Sequence, residues 1–170
     1  MQSKKMFRSA LVLAVLGATA GLALAAGSKT TTVGVSASVE SNCVVSTPST
    51  GLNFGVYDPL ASSDYTAATS FGIKCSKNAA YTVGLSAGNG PSATEATRTM
   101  ANGSEAAMSY AIYSDSGRTT NWGATAGAAT GTGSGLNTEN TVNVYGKIPK
   151  NQYDVGVGNY ADIVTATITY

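Results

Sequence analysis

The sequence predicts an all-β domain, a sandwich or barrel of short strands. Three observations carry that prediction. Apolar and small polar residues alternate with period two in run after run, polar turn clusters separate the runs, and no stretch after residue 26 combines a helical apolar stripe with caps. Short strands joined by turns rich in Gly, Asn, Asp and Pro suit two packed antiparallel sheets or a barrel.

The chain opens on a segment outside that fold. Lys4, Lys5 and Arg8 precede an uncharged apolar run from Ala10 to Ala25, and Ala23-Leu24-Ala25 is a small-x-small site, so residues 1–25 read as a cleaved signal peptide. The run is short for a membrane span, and no second hydrophobic stretch follows. Cleavage leaves residues 26–170 with seven basic and nine acidic residues, a net charge of −2. An exported, nearly neutral domain is expected.

The predicted strands follow in order. Val33-Gly34-Val35-Ser36-Ala37-Ser38-Val39 alternates cleanly, and Leu52, Phe54 and Val56 alternate against Asn53, Gly55 and Tyr57. Residues 71–75, 81–85, 108–113 and 141–146 repeat the pattern, and Ile163 to Tyr170 closes the chain. Turns are expected at Asp58-Pro59, Ser76-Lys77-Asn78, Gly88-Asn89-Gly90-Pro91, Asp115-Ser116-Gly117 and Lys150-Asn151-Gln152. Residues 123–135 contain only Gly, Ala, Thr and Ser and read as a flexible low-complexity surface connection.

Composition excludes several chemistries. The chain has no His, so Ser-His-Asp and Cys-His nucleophile systems are ruled out and the commonest nitrogen ligand for zinc is missing. A net charge of +1 over the whole chain gives no clustered basic face for nucleic acid. Most of the nine acids sit beside turn residues, where a solvated carboxylate is the ordinary explanation, and no spacing favours a catalytic pair. The sequence therefore predicts no enzyme, no cofactor and no metal site. Trp122, the single Trp, suits a core or rim position better than a sugar-stacking one. Cys43 and Cys75, an even pair in an exported chain, read as a disulfide closing a loop of 33 residues. Loop-closure entropy puts its stabilisation at roughly 3–4 kcal/mol.

The two ends of the mature chain carry the functional signal. Val33 to Val39 lies at the N-terminus without Pro and with only Lys29 and Glu40 charged nearby, and the chain ends inside a strong strand pattern. That arrangement suits strand addition between subunits, and it equally suits a first strand within its own sandwich. Pattern alone leaves both open.

Five segments in order bear a resemblance: Leu52 to Pro59, Tyr110 to Asp115, Asn121-Trp122-Gly123, Val144 to Pro149 and Gly158 to Asp162. With both cysteines, they resemble the spore coat protein U domain family, which includes the pilin subunits of archaic, Csu-type chaperone–usher pili. The resemblance implies an incomplete immunoglobulin-like β-sandwich, completed by a donor strand from a neighbouring subunit. A periplasmic chaperone would lend a strand in transit, and at the outer-membrane usher the next subunit's extension would replace it. Residues 26–41 would be the donor-strand extension and 42–170 the pilin sandwich. Val33, Val35, Ala37 and Val39 would fill successive groove pockets, since alternate residues of a strand share a face. Ile163, Ala166, Ile168 and Tyr170 would line the acceptor groove and meet the chaperone. The implied function is a structural subunit, of the shaft, in an extracellular pilus that supports surface attachment and biofilm formation. The alternative is a secreted, self-complete sandwich acting as a coat or matrix component or a lectin-like module.

Overall fold

The computed structural model describes residues 26–103, 106–125 and 127–170. The signal-peptide prediction for residues 1–25 lies outside them. The chain divides into two compact units, Met1–Ala37 and Ser38–Tyr170. In the first, residues 26–37 are exposed and form no strand, so the alternation that begins at Val33 is not a first strand of the chain's own sandwich.

The second unit is all-β, with no helix among the described residues. Its strands are β1 (Cys43–Thr47), β2 (Tyr65–Cys75), β3 (Ala80–Leu85), β4 (Arg98–Met100), β5 (Met108–Tyr113), β6 (Ala129–Thr132), β7 (Asn140–Ile148) and β8 (Ala166–Thr169). They form a five-stranded sheet in the order β1-β2-β7-β5-β4 and a three-stranded sheet in the order β6-β3-β8. Every pairing is antiparallel. The two sheets make a sandwich.

The central pair shows why these residues are strands. In β7, Val142, Val144, Gly146 and Ile148 are buried while Thr141 and Asn143 are exposed, the period-two signature of a sheet with one covered face. β2 pairs with it from Tyr65↔Ile148 to Ile73↔Asn140 and adds Phe71 and Ile73 to the same core. Val83 and Leu85 of β3 close the core from the other sheet. Trp122 is completely buried and its indole N–H donates to the Val83 carbonyl at 2.8 Å, which settles it as a core residue. Cys43 and Cys75 face each other across β1 and β2 and are joined by a disulfide.

Several strand boundaries differ from the sequence reading, each for a physical reason. The stretch 123–135 is not a featureless connection: Ala129–Thr132 is β6, paired with β3, and Gly131 lets the Tyr81 ring lie against its backbone. Strand propensity there is weak, and the pairing comes from β3. β1 and β4 carry no alternation long enough to read. The final strand shortens to Ala166–Thr169, because residues 161–165 cross from one sheet to the other: Ala161 bridges Ala101 beyond β4, whereas Ala166 pairs with Leu85 of β3.

The segment 52–57 forms no strand either. Gly55 has φ +73°, a left-handed conformation that glycine adopts freely, and its N–H donates to Asn53 Oδ1 at 2.8 Å. That turn shifts the alternation by one residue. Leu52, Phe54 and Tyr57 pack against the core, whereas Val56, expected on the face of Leu52 and Phe54 with Tyr57 opposite, is exposed.

Candidate functional site

An apolar groove of about 940 Å³ runs into the interior of the second unit. Its floor includes the core residues Phe71, Leu85, Met108, Ile112, Val144 and Ile148. A sandwich of ordinary packing density leaves few voids much larger than a water molecule, so a trough of this size reaching the core is a site in itself. One wall is the extended stretch from Ser49 to Pro59, and the other runs from Val155 to Ala166. Leu52 and Phe54 lean over Gly146 of β7, where a Cβ would strike both side chains. β8 borders the groove and is hydrogen-bonded to β3 on one side; it is an edge strand of its sheet. An edge strand offers a row of backbone N–H and C=O groups for further pairing.

The residues expected in the acceptor groove fall in two sets. Ile163 and Ala166 line it, with Ile163 69 % exposed. Ile168 instead packs toward the core beside Val83, and Tyr170 is exposed and outside the groove lining. Ala166 and Ile168 lie on the same face of β8, and the groove reaches only the first residue of that strand. Of the residues expected to form the donor face, Val33, Val35 and Val39 are 81 %, 92 % and 91 % exposed, and Ala37 is exposed as well. Three isolated valines at that exposure on alternate positions form an unsatisfied apolar stripe.

A buried polar network underlies one wall, and sequence reasoning missed its centre. Arg98 is completely buried. Its guanidinium donates to the carbonyls of Ser86 (2.9 and 2.7 Å), Trp122 (2.7 Å), Leu85 (3.3 Å) and Glu95 (3.0 Å). Burial lowers its pKa, opposed by the charges of Glu95 and Asp162. The Tyr110 hydroxyl donates to Asp162 Oδ2 at 2.6 Å; burial, reinforced by that bond, pushes its pKa well above the ordinary value. Asp162 Oδ1 accepts from the N–H groups of Asn89 and Ile163, both at 2.7 Å. A lone Arg between two threonines has no periodicity to announce it. Tyr110 and Asp162 were within segments singled out by resemblance, with no role attached.

Among the described residues no group of three or more side chains is arranged to hold a metal ion. What the site offers is shape, apolar surface and an open strand edge. The geometry defines a class of protein: a β-sandwich whose core is open along one edge strand. The family model of the Spore Coat Protein U domain matches residues 29–167, and the chain belongs to that family. The match takes in the exposed segment as well as the sandwich. Comparison with curated proteins gives no match. Among solved structures, the chain is similar in fold to one chain of the CsuC–CsuE chaperone–tip adhesion subunit pre-assembly complex from archaic chaperone–usher Csu pili of Acinetobacter baumannii. The TM-score is 0.53 at 21 % identity, covering 78 % of this chain and 40 % of that one. This chain thus spans less than half the length of that neighbour.

Proposed function

We propose that the chain is a structural subunit of an extracellular chaperone–usher pilus and polymerises by donor-strand exchange. One observation carries the reading: the same chain holds an apolar groove open beside the edge strand β8 and, outside its sandwich, an exposed strand-like segment with an apolar stripe. Each half presents apolar surface that the other could cover. A second copy offers the segment for the groove, with Val33, Val35, Ala37 and Val39 as the inserted face and β8 as the pairing edge. During transit through the periplasm a chaperone occupies the groove; at the outer-membrane usher the next subunit's segment replaces it. Residues 26–41 act as the extension and 42–170 as the body. We place the subunit in the shaft of a fibre serving surface attachment and biofilm formation.

The test makes the exchange intramolecular. A second copy of Thr31–Val39 is joined after Tyr170 through a short flexible linker and the original segment is deleted; high effective concentration then favours closure. The expected product is a soluble monomer, far more heat-stable than the deletion alone, and changing the appended valines to Ser should abolish the gain. If the bare deletion is already a stable monomer, the sandwich is self-complete and the pilin reading fails in favour of a coat or lectin-like module.

A further inference from the structure

The groove's lining mixes apolar residues with neutral polar ones such as Ser49, Asn53, Thr69 and Asn159. Among the described residues lining it, Asp162 alone carries a formal charge. Its carboxylate is not free to swing away. Tyr110 holds one oxygen at 2.6 Å, and the backbone N–H groups of Asn89 and Ile163 hold the other at 2.7 Å. The backbone on either side is fixed too. Ala161 exchanges two hydrogen bonds with Ala101, each 3.1 Å, and Thr165 is bonded to Ser86 through both its N–H and its carbonyl, at 2.9 Å each. The side chain sits where the wall crosses between the sheets, pinned at both flanks.

Arg98, buried nearby, offsets part of this charge, and what remains is a fixed negative point in an otherwise uncharged groove, which discriminates among strands. An acidic residue brought to face it meets repulsion that water screens poorly, whereas a neutral residue does not and a basic one is attracted. The exposed segment fits that demand: it is uncharged from Thr31 to Val39, and its nearest charges, Lys29 and Glu40, flank it with opposite signs. A strand with opposite charges at its ends, entering a groove with one fixed negative point, seats differently in its two directions and in each register.

We propose that Asp162 is a specificity-determining residue of the groove: it rejects strands acidic at the facing position and fixes the register and direction in which the segment of a second copy seats. The inference rests on the donor-strand reading above.

The experiment is a charge scan of the donor. Fluorescent peptides spanning residues 29–40, unsubstituted or carrying Asp or Lys at position 33, 35, 37 or 39, are titrated by anisotropy against dilute mature chain. Where a position faces apolar wall, Asp and Lys should weaken binding alike, since both charges are desolvated. At the position facing Asp162 the Asp peptide should bind about tenfold or more weakly than the Lys peptide, the scale of unit charges a few ångströms apart in a partly desolvated groove. Asp162→Asn should collapse that difference, read as a ratio of two peptides within the variant. Tyr110→Phe keeps the carboxylate and should preserve it. The scan on the unaltered chain stands even if a variant fails to fold. If the unsubstituted peptide binds but Asp and Lys are equivalent at all four positions, the role of Asp162 is overturned and the donor-strand reading survives. If no peptide binds, the donor-strand reading falls, and the inference with it.

Discussion

Replacing Arg98 with Met tests what holds the groove's floor to its wall. Met fills much of the volume of the arginine stem and removes every donor. The Trp122 carbonyl loses its 2.7 Å partner and Ser86 loses two bonds, at 2.9 and 2.7 Å, while the Leu85 carbonyl loses a weaker one at 3.3 Å. Each buried carbonyl left without a donor costs about 1–3 kcal/mol. The Asp162 carboxylate also loses the nearby cation. Together these place the loss at about 3–5 kcal/mol, the range for breaking a buried charged network, or roughly 10–20 °C in Tm for a body of this size. Trp122 is the chain's only Trp and its carbonyl is one of the acceptors, so its emission reports unfolding at the site. Urea and thermal titrations followed at that wavelength, on wild type, Arg98→Met and Arg98→Lys, should rank the lysine between the others. A loss below about 1 kcal/mol for the methionine would refute the reasoning, because it would mean that the carbonyls find other partners at no cost.

Other outcomes follow from the same geometry. Val35→Asp, at a position now 92 % exposed, should leave export and folding of the sandwich intact and block polymerisation, seen as loss of SDS-resistant ladders beside normal periplasmic monomer. Replacing Cys43 and Cys75 together with Ala should cost about 3–4 kcal/mol by loop entropy and raise periplasmic proteolysis; intact mass with and without reduction checks the bond. Acid should weaken the fold from about pH 4 downward. Asp115 is held below its ordinary pKa chiefly by the Thr120 N–H, and Glu139 chiefly by the Ser46 hydroxyl and then that of Thr47, so each contributes stability above the ordinary carboxylate range that is lost as pH falls through its lowered value. Tyr110 acts in the opposite direction: its raised pKa gives stability present below about pH 10 and lost as pH rises further, which an alkaline urea series on Tyr110→Phe would isolate.

Much of this was legible where period two was long and one-sided. β7 alternates through Val142, Val144 and Ile148, and the sequence yields its inward face directly. The two cysteines pair as an exported even pair should. Legibility stops where tertiary contact overrides local pattern. β6 has strand geometry because β3 supplies its partner, although Ala129-Thr130-Gly131-Thr132 shows little preference of its own. The Gly55 turn inverts a pattern that looked continuous, placing Tyr57 inward and Val56 outward. At the far end, residues 161–165 cross between sheets and the groove stops at Ala166, so Ile168 and Tyr170 lie beyond the groove that Ile163 and Ala166 line. Arg98 was invisible because its partners are carbonyls on three separate stretches of chain, which no spacing rule connects.

In the proposed fibre, where the chain is a link under tension, the disulfide would have a mechanical meaning. Three residues, Glu40, Ser41 and Asn42, separate Val39 from Cys43, a reach of about 13 Å when taut. If the segment seats in a neighbouring body as proposed, consecutive bodies part no further than that, and a pull on the fibre arrives at Cys43 almost undamped. Were β1 held by hydrogen bonds alone, such a load would peel it from β2 one pair at a time, starting at its first residue. The covalent crosslink stands at that first pair, Cys43↔Cys75, and routes the force into the end of the longest strand, which is zipped to β7 over nine successive pairs loaded along their length. Peeling becomes shearing. A linkage placed even a few residues further along β1 would leave the leading end to unzip, so in the proposed fibre the site of the bond, more than its free energy, would set how hard the chain can be pulled.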